Sequence, residues 1–385
     1  MKILKYTGLT LVSIIALIVI LLYIFDYAYI LKGVRVVYMT GHSSAFIDDH
    51  VYFDNAIVKK ANNPLPWPHH KSYNEILPTE KLQETNNKLE TVAFLIIKND
   101  SIWFEKYAEG YGTDSQTNSF SMAKSVVSAL LFKAIQDGYV ENLDQPIGDF
   151  IPEFSTGLAA QATIGDFSSM SSGLNWTEHY TSPFSITARA YYEHELDELM
   201  KTLEIVDTPG QSYRYLSGNT QILAMAIEKA TGKTLYHYLS ESFWKPLRMT
   251  QDALWQVDSK ENDLVKAYCC ISSNAHDFAR FGQLFKNRGV FNRKQVLDAR
   301  FIELATTSKF SDSPQYGYGF WLSDYKNKEI FAMRGILGQY VIVIPEDDVI
   351  IVRLGHHRGT FINGQPFTAD FYTYIDEAYR MMGIK

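Results

Sequence analysis

Residues 121–136 read SMAKSVVSALLFKAIQ, and this stretch decides which fold the sequence predicts. Its apolar side chains recur with the spacing of one helix face, at Val126, Val127, Leu130, Leu131, Ala134 and Ile135. Gly138 follows, at the place where a helix often ends on a left-handed residue. The stretch is therefore predicted to be an α-helix that begins at Ser121.

The segments before this helix are predicted to be strands. Thr91–Ile97 and Ser101–Tyr107 are rich in apolar and β-branched residues, and Asn99 and Asp100 supply a turn between them. We therefore expect a pair of strands directly ahead of the helix.

The remainder of the chain is predicted to contain helices first and strands last. A helical and loop-rich middle reaches about residue 300 and contains a helix at 220–230 that Gly232 closes. Three strands and a final helix follow, at 330–334, 339–344, 349–354 and 370–382. This order is typical of an antiparallel sheet flanked by helices, so we predict an α/β (α+β) fold with an all-helical region.

Composition and charge exclude several classes of protein. The 385 residues are 46% hydrophobic and 21% charged, which indicates a folded globular chain. The formal net charge of −7 and the lack of a long basic run argue against a nucleic acid partner.

Neither the cysteines nor the paired histidines predict a metal site or a disulfide framework. Cys269 and Cys270 are adjacent, and we expect them to be unpaired and buried because the ring that they would close is strained. His69 and His70 have no third ligand at a suitable spacing, so a surface loop is expected. We expect no metal and no organic cofactor.

The N-terminal segment has the length and composition of a membrane helix. Residues 7–25 read TGLTLVSIIALIVILLYIF, close to the roughly 20 apolar residues that cross a bilayer core. Lys2 and Lys5 precede the run and Asp26 follows it, so the positive-inside bias keeps the N-terminus in the cytoplasm. A cleaved signal peptide is the alternative, but the run is long and lacks an A-x-A site.

These features predict three parts of the chain. Residues 1–26 are expected to form an uncleaved single-pass anchor in the inner membrane, with the catalytic domain on the periplasmic side. Residues 27–80 are expected to be an irregular strap, since the proline-rich stretch 62–70 cannot form a helix or an inner strand. Residues 81–385 are expected to be the folded domain.

Ser121-Met122-Ala123-Lys124 is a Ser-x-x-Lys motif at the start of the predicted helix. A serine hydroxyl is a weak nucleophile until a base takes its proton. Residue i+3 of a helix lies on the same face as residue i, and burial lowers the pKa of a lysine, so Lys124 could act as that base. An ordinary helix cap is the alternative interpretation of Ser121.

The motif alone does not select its own serine, because Ser242–Lys245 and Ser323–Lys326 have the same spacing. Pro246 breaks any helix after the first of these pairs, and the second lies in a polar turn. Only Ser121 opens a long apolar helix directly after a pair of strands.

Two later segments add groups that such a serine could use. Residues 209–220 read PGQSYRYLSGNT and place Tyr215 and Ser217 just before the helix at 220–230. Residues 334–340 read RGILGQY, in which Gly335 would let a ligand backbone approach a strand closely. A packed tyrosine, a helix cap and a simple β-bulge are the structural alternatives.

These three elements, in this order, resemble the serine β-lactamase and penicillin-binding-protein superfamily. The resemblance is greatest to its class C-like branch, with esterases and 6-aminohexanoate-dimer hydrolases. Two further phrases support it, Met170-Ser171-Ser172-Gly173-Leu174-Asn175-Trp176 and Asp277-Phe278-Ala279-Arg280-Phe281-Gly282, and the likeness covers roughly residues 80–380.

The resemblance implies a role for each candidate residue. Ser121 would be the acylated nucleophile and Lys124 its base, and Tyr215 would pass the proton to the leaving group. The backbone N–H groups of Ser121 and Ile336 would form the oxyanion hole.

The resemblance also implies substrate contacts for Tyr180, Ser217 and Gly335. Ser217 stands where most class C β-lactamases have asparagine, and the amide-hydrolase branch often has serine there.

One departure from the superfamily bears on the substrate. β-Lactamases and DD-peptidases carry Lys-Thr-Gly or His-Thr-Gly on the late strand, whereas this chain has Met333-Arg334-Gly335. The usual cation and threonine hydroxyl are missing, although Arg334 could replace the cation. We therefore expect hydrolysis of a small ester or amide. A peptidoglycan-active DD-peptidase or β-lactamase and a non-catalytic ligand-binding protein of the same fold are the alternatives.

Overall fold

The computed structural model of the chain describes residues 2–384 and contains one large antiparallel sheet. The strands of the described chain are β1 Asn55–Val58, β2 Thr91–Lys98, β3 Ser101–Tyr107, β4 Thr117–Asn118, β5 Ala253–Gln256, β6 Ile271–Ser273, β7 Val290–Phe291, β8 Lys294–Gln295, β9 Trp321–Ser323, β10 Ile330–Arg334, β11 Tyr340–Ile344 and β12 Val349–Gly355. Its helices are α1 Lys2–Ile24, α2 Tyr29–Val36, α3 Glu80–Lys88, α4 Met122–Gln136, α5 Ile164–Ser168, α6 Ile186–Tyr192, α7 Leu196–Lys201, α8 Ser217–Thr231, α9 Leu235–Leu239, α10 Ala275–Lys286, α11 Ala299–Ala305 and α12 Ala369–Met382.

The large sheet joins the early hairpin to the strands at the end of the chain. Its order is β3-β2-β12-β11-β10-β9, and every neighbouring pair is antiparallel. Ile96 of β2 lies opposite Ile351 of β12 on one side and Phe104 of β3 on the other. A second sheet has the order β1-β5-β6-β4, and β7 pairs with β8.

Alternate residues of the central strands enter two separate cores, as the period of two in a strand requires. In β2, Leu95 and Ile97 belong to the core shared with α4, α8 and α10, whereas Phe94 and Ile96 belong to the core shared with α12. Gly282 brings α10 close to the sheet, because a Cβ there would lie 2.8 Å from Val341. The predicted antiparallel sheet flanked by helices is confirmed.

The predicted elements match the observed ones closely where the sequence pattern is regular. The predicted strand 101–107 is β3, and the predicted strand 330–334 is β10. Ser121 is the N-cap of α4, and Gly138 follows the helix with a φ of +79°. The predicted helix at 220–230 begins earlier, at Ser217, and ends at Gly232 with a φ of +66°.

Residues 27–80 are more ordered than the irregular strap that we expected. They contain α2, and they contain β1, which pairs with β5. The buried side chains of Tyr29 and Val36 and the hydrogen bonds of β1 tie this segment to distant parts of the chain. Such long-range contacts explain why local sequence patterns did not reveal it.

The expectation that the two cysteines stay unpaired is wrong. The structure joins Cys269 and Cys270 in a disulfide, and both residues are buried. Cys270 has a φ of +76°, in a region that residues other than glycine rarely adopt.

α1 is the one described helix that is long and apolar enough to cross a membrane. Its window from Tyr6 to Ile24 has a mean hydropathy of 2.7, and none of that window is buried against the rest of the protein. A signal sequence near the N-terminus would have the same properties, so the helix is either a membrane span or a signal.

Candidate active site

Ser121 occupies the N-cap position of α4 and is partly exposed, whereas most of α4 behind it is buried. The side chain of an ordinary serine N-cap accepts a hydrogen bond from a backbone N–H of its helix. The Ser121 hydroxyl makes no such bond. Instead, Lys124 Nζ donates a hydrogen bond of 2.9 Å to Ser121 Oγ from the next turn of the same face. The hydroxyl is therefore held by a potential base and faces solvent.

Lys124 lies in surroundings that favour its neutral form. Its side chain is only 2% exposed, and Nζ also donates to the carbonyl oxygen of Tyr268 at 2.8 Å. Burial lowers the pKa of Lys124 to about 8, although the charge of Glu178 acts in the opposite direction. A lysine with such a pKa is partly neutral near neutral pH and can accept a serine proton.

The backbone turns sharply just before Ser121. Phe120 has a φ of +45°, in a region that bulky residues rarely adopt, and its N–H donates to Asn118 Oδ1 at 2.9 Å. Asn118 Nδ2 in turn donates to Asp49 Oδ1 at 3.0 Å. Strained conformations of this kind persist where their surroundings hold them in place, and they cluster at active sites. This turn sets the direction of the Ser121 side chain.

Tyr215 lies two residues before α8 and close to Lys124. Lys124 Nζ, which donates to the Ser121 hydroxyl, lies 5.2 Å from the centroid of the Tyr215 ring. Burial raises the pKa of Tyr215 above 10.0, and the polar side chain of Ser121 opposes this by a smaller amount. The group is thus a neutral phenol at neutral pH, which suits it to donate a proton.

Glu178, which no sequence pattern indicated, connects several of the candidate residues. Its carboxylate accepts hydrogen bonds from the Ser217 N–H and the Tyr180 hydroxyl, and from Ser217 Oγ at 3.2 Å. Glu178 therefore caps the N-terminus of α8, where a negative charge is favourable. It is one loop carboxylate among many in the sequence. Its position shortly after Trp176 was the only sequence feature that could have marked it as a site residue.

The segment 170–176 packs against the N-terminal end of α8. A Cβ on Gly218 would lie 2.7 Å from the Trp176 ring, so only glycine allows this close packing. Ser172 Oγ donates to Asn219 Oδ1. These contacts hold the helix start that carries Ser217 and the segment that carries Tyr215.

Ile336 lies in the turn between β10 and β11, on the sheet side of Ser121. Within the described chain, neither the Ser121 N–H nor the Ile336 N–H donates a backbone hydrogen bond, and both residues line one cavity. Two unpaired backbone donors near a serine hydroxyl are what an oxyanion hole requires.

Gly335 contacts protein atoms where a ligand contact was expected. A Cβ at this position would lie 2.7 Å from the Ser119 carbonyl oxygen and 2.5 Å from Gln339 Oε1. The glycine lets the end of β10 approach the turn that carries Ser121, and it does not line the cavity.

A cavity of about 590 Å³ opens over Ser121. Tyr180 and Ser217 line it together with Tyr191, Tyr192 and residues of α2. Tyr180 is 49% exposed, so it stands at the rim. Arg358, which the sequence analysis did not select, also lines the cavity and donates to the Ile336 carbonyl oxygen at 3.2 Å.

Arg334 does not take the place of the missing cation inside the cavity. Its guanidinium lies 4.6 Å from the centroid of the Trp321 ring and donates to the Pro366 carbonyl oxygen at 2.7 Å. Arg334 is absent from the cavity wall, and Met333 beside it is buried in the core.

The other two Ser-x-x-Lys motifs do not form a comparable pair. Ser242 is buried, whereas Lys245 is exposed. Ser323 Oγ accepts a hydrogen bond from the Tyr325 N–H, and Lys326 pairs with Asp376 at 2.9 Å.

No group of three or more potential metal ligands comes together in residues 2–384. His69 of the paired histidines stacks on the Tyr73 ring with 3.9 Å between the centroids.

The sequence matches the profile of the Beta-lactamase family over residues 79–364, which is more than half of the chain. The chain belongs to the β-lactamase family. It is 24% identical over 299 residues to the 6-aminohexanoate-dimer hydrolase of Paenarthrobacter ureafaciens, a match that covers 71% of this chain and 74% of that protein. This membership makes the protein a serine hydrolase.

Solved structures of other β-lactamase-family proteins have the same fold. A 6-aminohexanoate-dimer hydrolase candidate from Bacillus anthracis superimposes with a TM-score of 0.74 at 20% identity, covering 92% of this chain and 95% of that chain. A family VIII carboxylesterase superimposes with a TM-score of 0.59 at 14% identity, covering 79% of this chain and 98% of that chain. At these identities the structures establish the fold alone.

Proposed function

We propose that this protein hydrolyses an ester or amide bond through an acyl-enzyme on Ser121, with Lys124 as the base and Tyr215 as the proton donor to the leaving group. The observation that carries the proposal is the 2.9 Å hydrogen bond between Lys124 Nζ and a serine hydroxyl that does not cap its helix.

The proposed reaction follows from the positions and protonation of these groups. Neutral Lys124 takes the proton of Ser121 as Oγ attacks the carbonyl carbon. The N–H groups of Ser121 and Ile336 stabilise the negative charge that develops on the carbonyl oxygen. Tyr215 gives a proton to the departing alcohol or amine, and water then releases the acid from the serine ester.

The contacts around Ser217 assign it a supporting part in this reaction. Glu178 accepts hydrogen bonds from both the N–H and the hydroxyl of Ser217, which orients the hydroxyl toward the cavity side of α8. Tyr180 donates to the same carboxylate and stands at the rim, where it would contact a bound substrate.

An unstrained ester or amide suits this site better than a β-lactam antibiotic. A penicillin carboxylate needs a cation and a hydroxyl on the late strand, and here Arg334 packs on Trp321 outside the cavity. Two relatives in this fold, a 6-aminohexanoate-dimer hydrolase and a family VIII carboxylesterase, are named for amide and ester substrates.

We further propose that α1 is an uncleaved single-pass anchor, with the catalytic domain on the periplasmic side of the inner membrane. The hydropathy of 2.7 over Tyr6–Ile24, the exposure of that helix and the preceding lysines support this arrangement. The catalytic domain would cover residues 81–385, together with the ordered parts of 27–80.

The test uses the full chain in detergent with a fluorophosphonate probe and 4-nitrophenyl acetate. Ser121→Ala should abolish both labelling and ester hydrolysis, whereas Ser323→Ala, in another Ser-x-x-Lys motif, should react like the wild type. Equal labelling of the Ser121→Ala protein and the wild type would refute the nucleophile assignment.

A further inference from the structure

The far wall of the cavity is formed by the segment that directly follows the N-terminal apolar helix. α2 contributes Ile30, Gly33 and Val34 to this wall, and residues 37–38 and 43–45 extend it. Gly33 lies so close to α6 that a Cβ there would be 3.2 Å from the Tyr192 ring. The cavity is thus closed on this side by residues next to the end of α1.

The residues that directly follow α1 contact the rim of the cavity through non-covalent interactions. Asp26 forms an ion pair with Arg189 of α6, and the Tyr29 hydroxyl donates to the Pro183 carbonyl oxygen at 3.0 Å. The Tyr27 and Phe184 rings meet edge to face at 5.5 Å. Residues 180–183 line the cavity, so its mouth and the end of α1 form one continuous surface.

The lining of this cavity combines aliphatic and aromatic surface with serine, threonine and tyrosine hydroxyls, and it carries almost no charge. No aspartate or glutamate of residues 2–384 belongs to it, and Arg358 is its one charged side chain. Its volume of about 590 Å³ lies within the roughly 300–1,000 Å³ of small-molecule pockets. Tyr38 of the lining is 67% exposed, and Phe184, which follows the lining residue Pro183, is 65% exposed. Aromatic side chains of this kind are enriched at membrane surfaces.

We infer that this cavity binds the long acyl chain of an ester that resides in the same membrane as the anchor. The inference rests on the proposed function, because it assigns the substrate class of the Ser121 site. Tyr215, the proposed donor to the leaving group, does not line the cavity, so the acyl part of the substrate is the part that enters it.

The reaction balances as two transfers. Ser121 Oγ gives its proton to Lys124 and bonds to the acyl carbonyl carbon, the ester C–O bond breaks, and the alcohol departs with a proton from Tyr215, which Lys124 then reprotonates. Water loses a proton to Lys124 as it attacks the acyl-serine, the bond from the acyl carbon to Oγ breaks to release the long-chain carboxylic acid, and Lys124 returns the proton to Ser121.

The first experiment measures kcat/KM of the full chain in detergent for 4-nitrophenyl octanoate and 4-nitrophenyl acetate. The wild type should prefer octanoate, because each apolar methylene buried in a pocket favours binding and the transition state. Val34→Trp should fill the cavity and lower the octanoate-to-acetate ratio at least about tenfold. Val51→Trp, at a position that is 66% exposed and outside the cavity wall, should keep the wild-type ratio.

Fluorophosphonate labelling and thermal unfolding check that each variant is folded. Val34→Asp is the second cavity variant, and it should lower the same ratio because a carboxylate in the wall repels an apolar chain. A wild-type ratio below one, or a ratio unchanged in a folded cavity variant, would overturn the inference. It would leave the proposed function standing if Ser121→Ala still abolishes acetate hydrolysis.

The second experiment tests the source of the ester. The full chain is reconstituted in phosphatidylcholine vesicles that contain 4-nitrophenyl hexadecanoate, or it is mixed with separate vesicles that contain this ester. Sharing one membrane should raise the initial rate on the order of tenfold, through a higher local concentration. Equal rates in the two arrangements would refute delivery from the membrane, whereas loss of the reaction in Ser121→Ala tests the proposed function itself.

Discussion

Lys124 and Lys266 are both buried lysines, with 2% and 0% of their surface exposed, yet their surroundings differ in one decisive way. Lys124 Nζ donates to a serine hydroxyl and to the Tyr268 carbonyl oxygen. Lys266 Nζ donates to the Tyr191 carbonyl oxygen and lies 4.1 Å from the centroid of the Phe53 ring, and no hydroxyl of residues 2–384 accepts a hydrogen bond from it. Burial lowers the pKa of both lysines.

The region around Lys266 supports the active site without taking part in the chemistry. Asp49, which is completely buried, accepts hydrogen bonds from Tyr191 at 2.6 Å and from Asn118 and Gln256 at 3.0 Å each. Asn118 then holds the strained turn before Ser121 through the Phe120 N–H. Burial therefore increases the neutral fraction of both lysines, but only Lys124 has a hydroxyl partner that makes it a candidate catalyst.

The largest expected effect separates the two lysines by activity. Lys124→Met should slow fluorophosphonate labelling and 4-nitrophenyl acetate hydrolysis at least about 10³-fold, in the upper range for loss of a general base. Lys266→Met should retain labelling within a few fold of the wild type. The rate of fluorophosphonate labelling of the two variants measures the difference, and thermal unfolding checks that both are folded. Normal acylation in Lys124→Met would remove this lysine as the base.

A smaller effect is expected on stability. Lys124→Met should raise the stability of the fold, although it lowers activity. The pKa of Lys124 falls from 10.5 unfolded to about 8 folded, so at pH 7 the native state holds a buried ammonium that opposes folding. The free energy of unfolding should therefore rise as the pH increases from 8 toward 10.5. Lys124→Met should stabilise the protein by about 1–3 kcal/mol at pH 7, because the full shift is worth about 3 kcal/mol and lost hydrogen bonds offset part of it.

Thermal unfolding of the detergent-solubilised chain at pH 7 and pH 10 measures this effect. The gain in Lys124→Met should shrink at pH 10, where the unfolded lysine also begins to lose its proton. A variant that is less stable than the wild type at pH 7 would contradict the proposed balance between burial and charge.

The smallest expected effect concerns the pH dependence of the reaction. The neutral form of Lys124 is the base, so kcat/KM should rise with pH and reach half its maximum near pH 8. Glu178 raises the pKa of Lys124, so Glu178→Gln should move this limb to lower pH by about half a unit. Glu198→Gln, which removes an exposed carboxylate that pairs with Lys201, is the matched control and should not move it. A shift to higher pH would contradict the assigned sign.

Local patterns predicted the parts of the fold that depend on near neighbours in sequence. The hairpin at 91–107, the helix after Ser121 and the strands of 330–355 all show regular spacing of apolar residues, and the structure has them within a few residues. The Ser121 and Lys124 pair was equally accessible, because a separation of three residues on a helix fixes their proximity.

The remaining parts depend on contacts that no local pattern contains. α2 is a short helix with two lysine or arginine side chains. Its contact with α6, between Gly33 and Tyr192, joins residues more than a hundred positions apart. The Tyr268 carbonyl oxygen acts through the backbone, so its side chain gives no signal. Glu178 and Arg358 stand in loops, and only the folded chain brings them to the cavity.

The boundaries of the shared family region have a consequence for substrate range. The Beta-lactamase profile begins at residue 79, whereas α2 and residues 37–38 and 43–45, which close the cavity, lie ahead of it. The proposed catalytic residues thus lie within the family profile, whereas one wall of the cavity lies outside it. Under the proposed function, changes in that wall would alter which acyl groups fit while Ser121 and Lys124 stay in place.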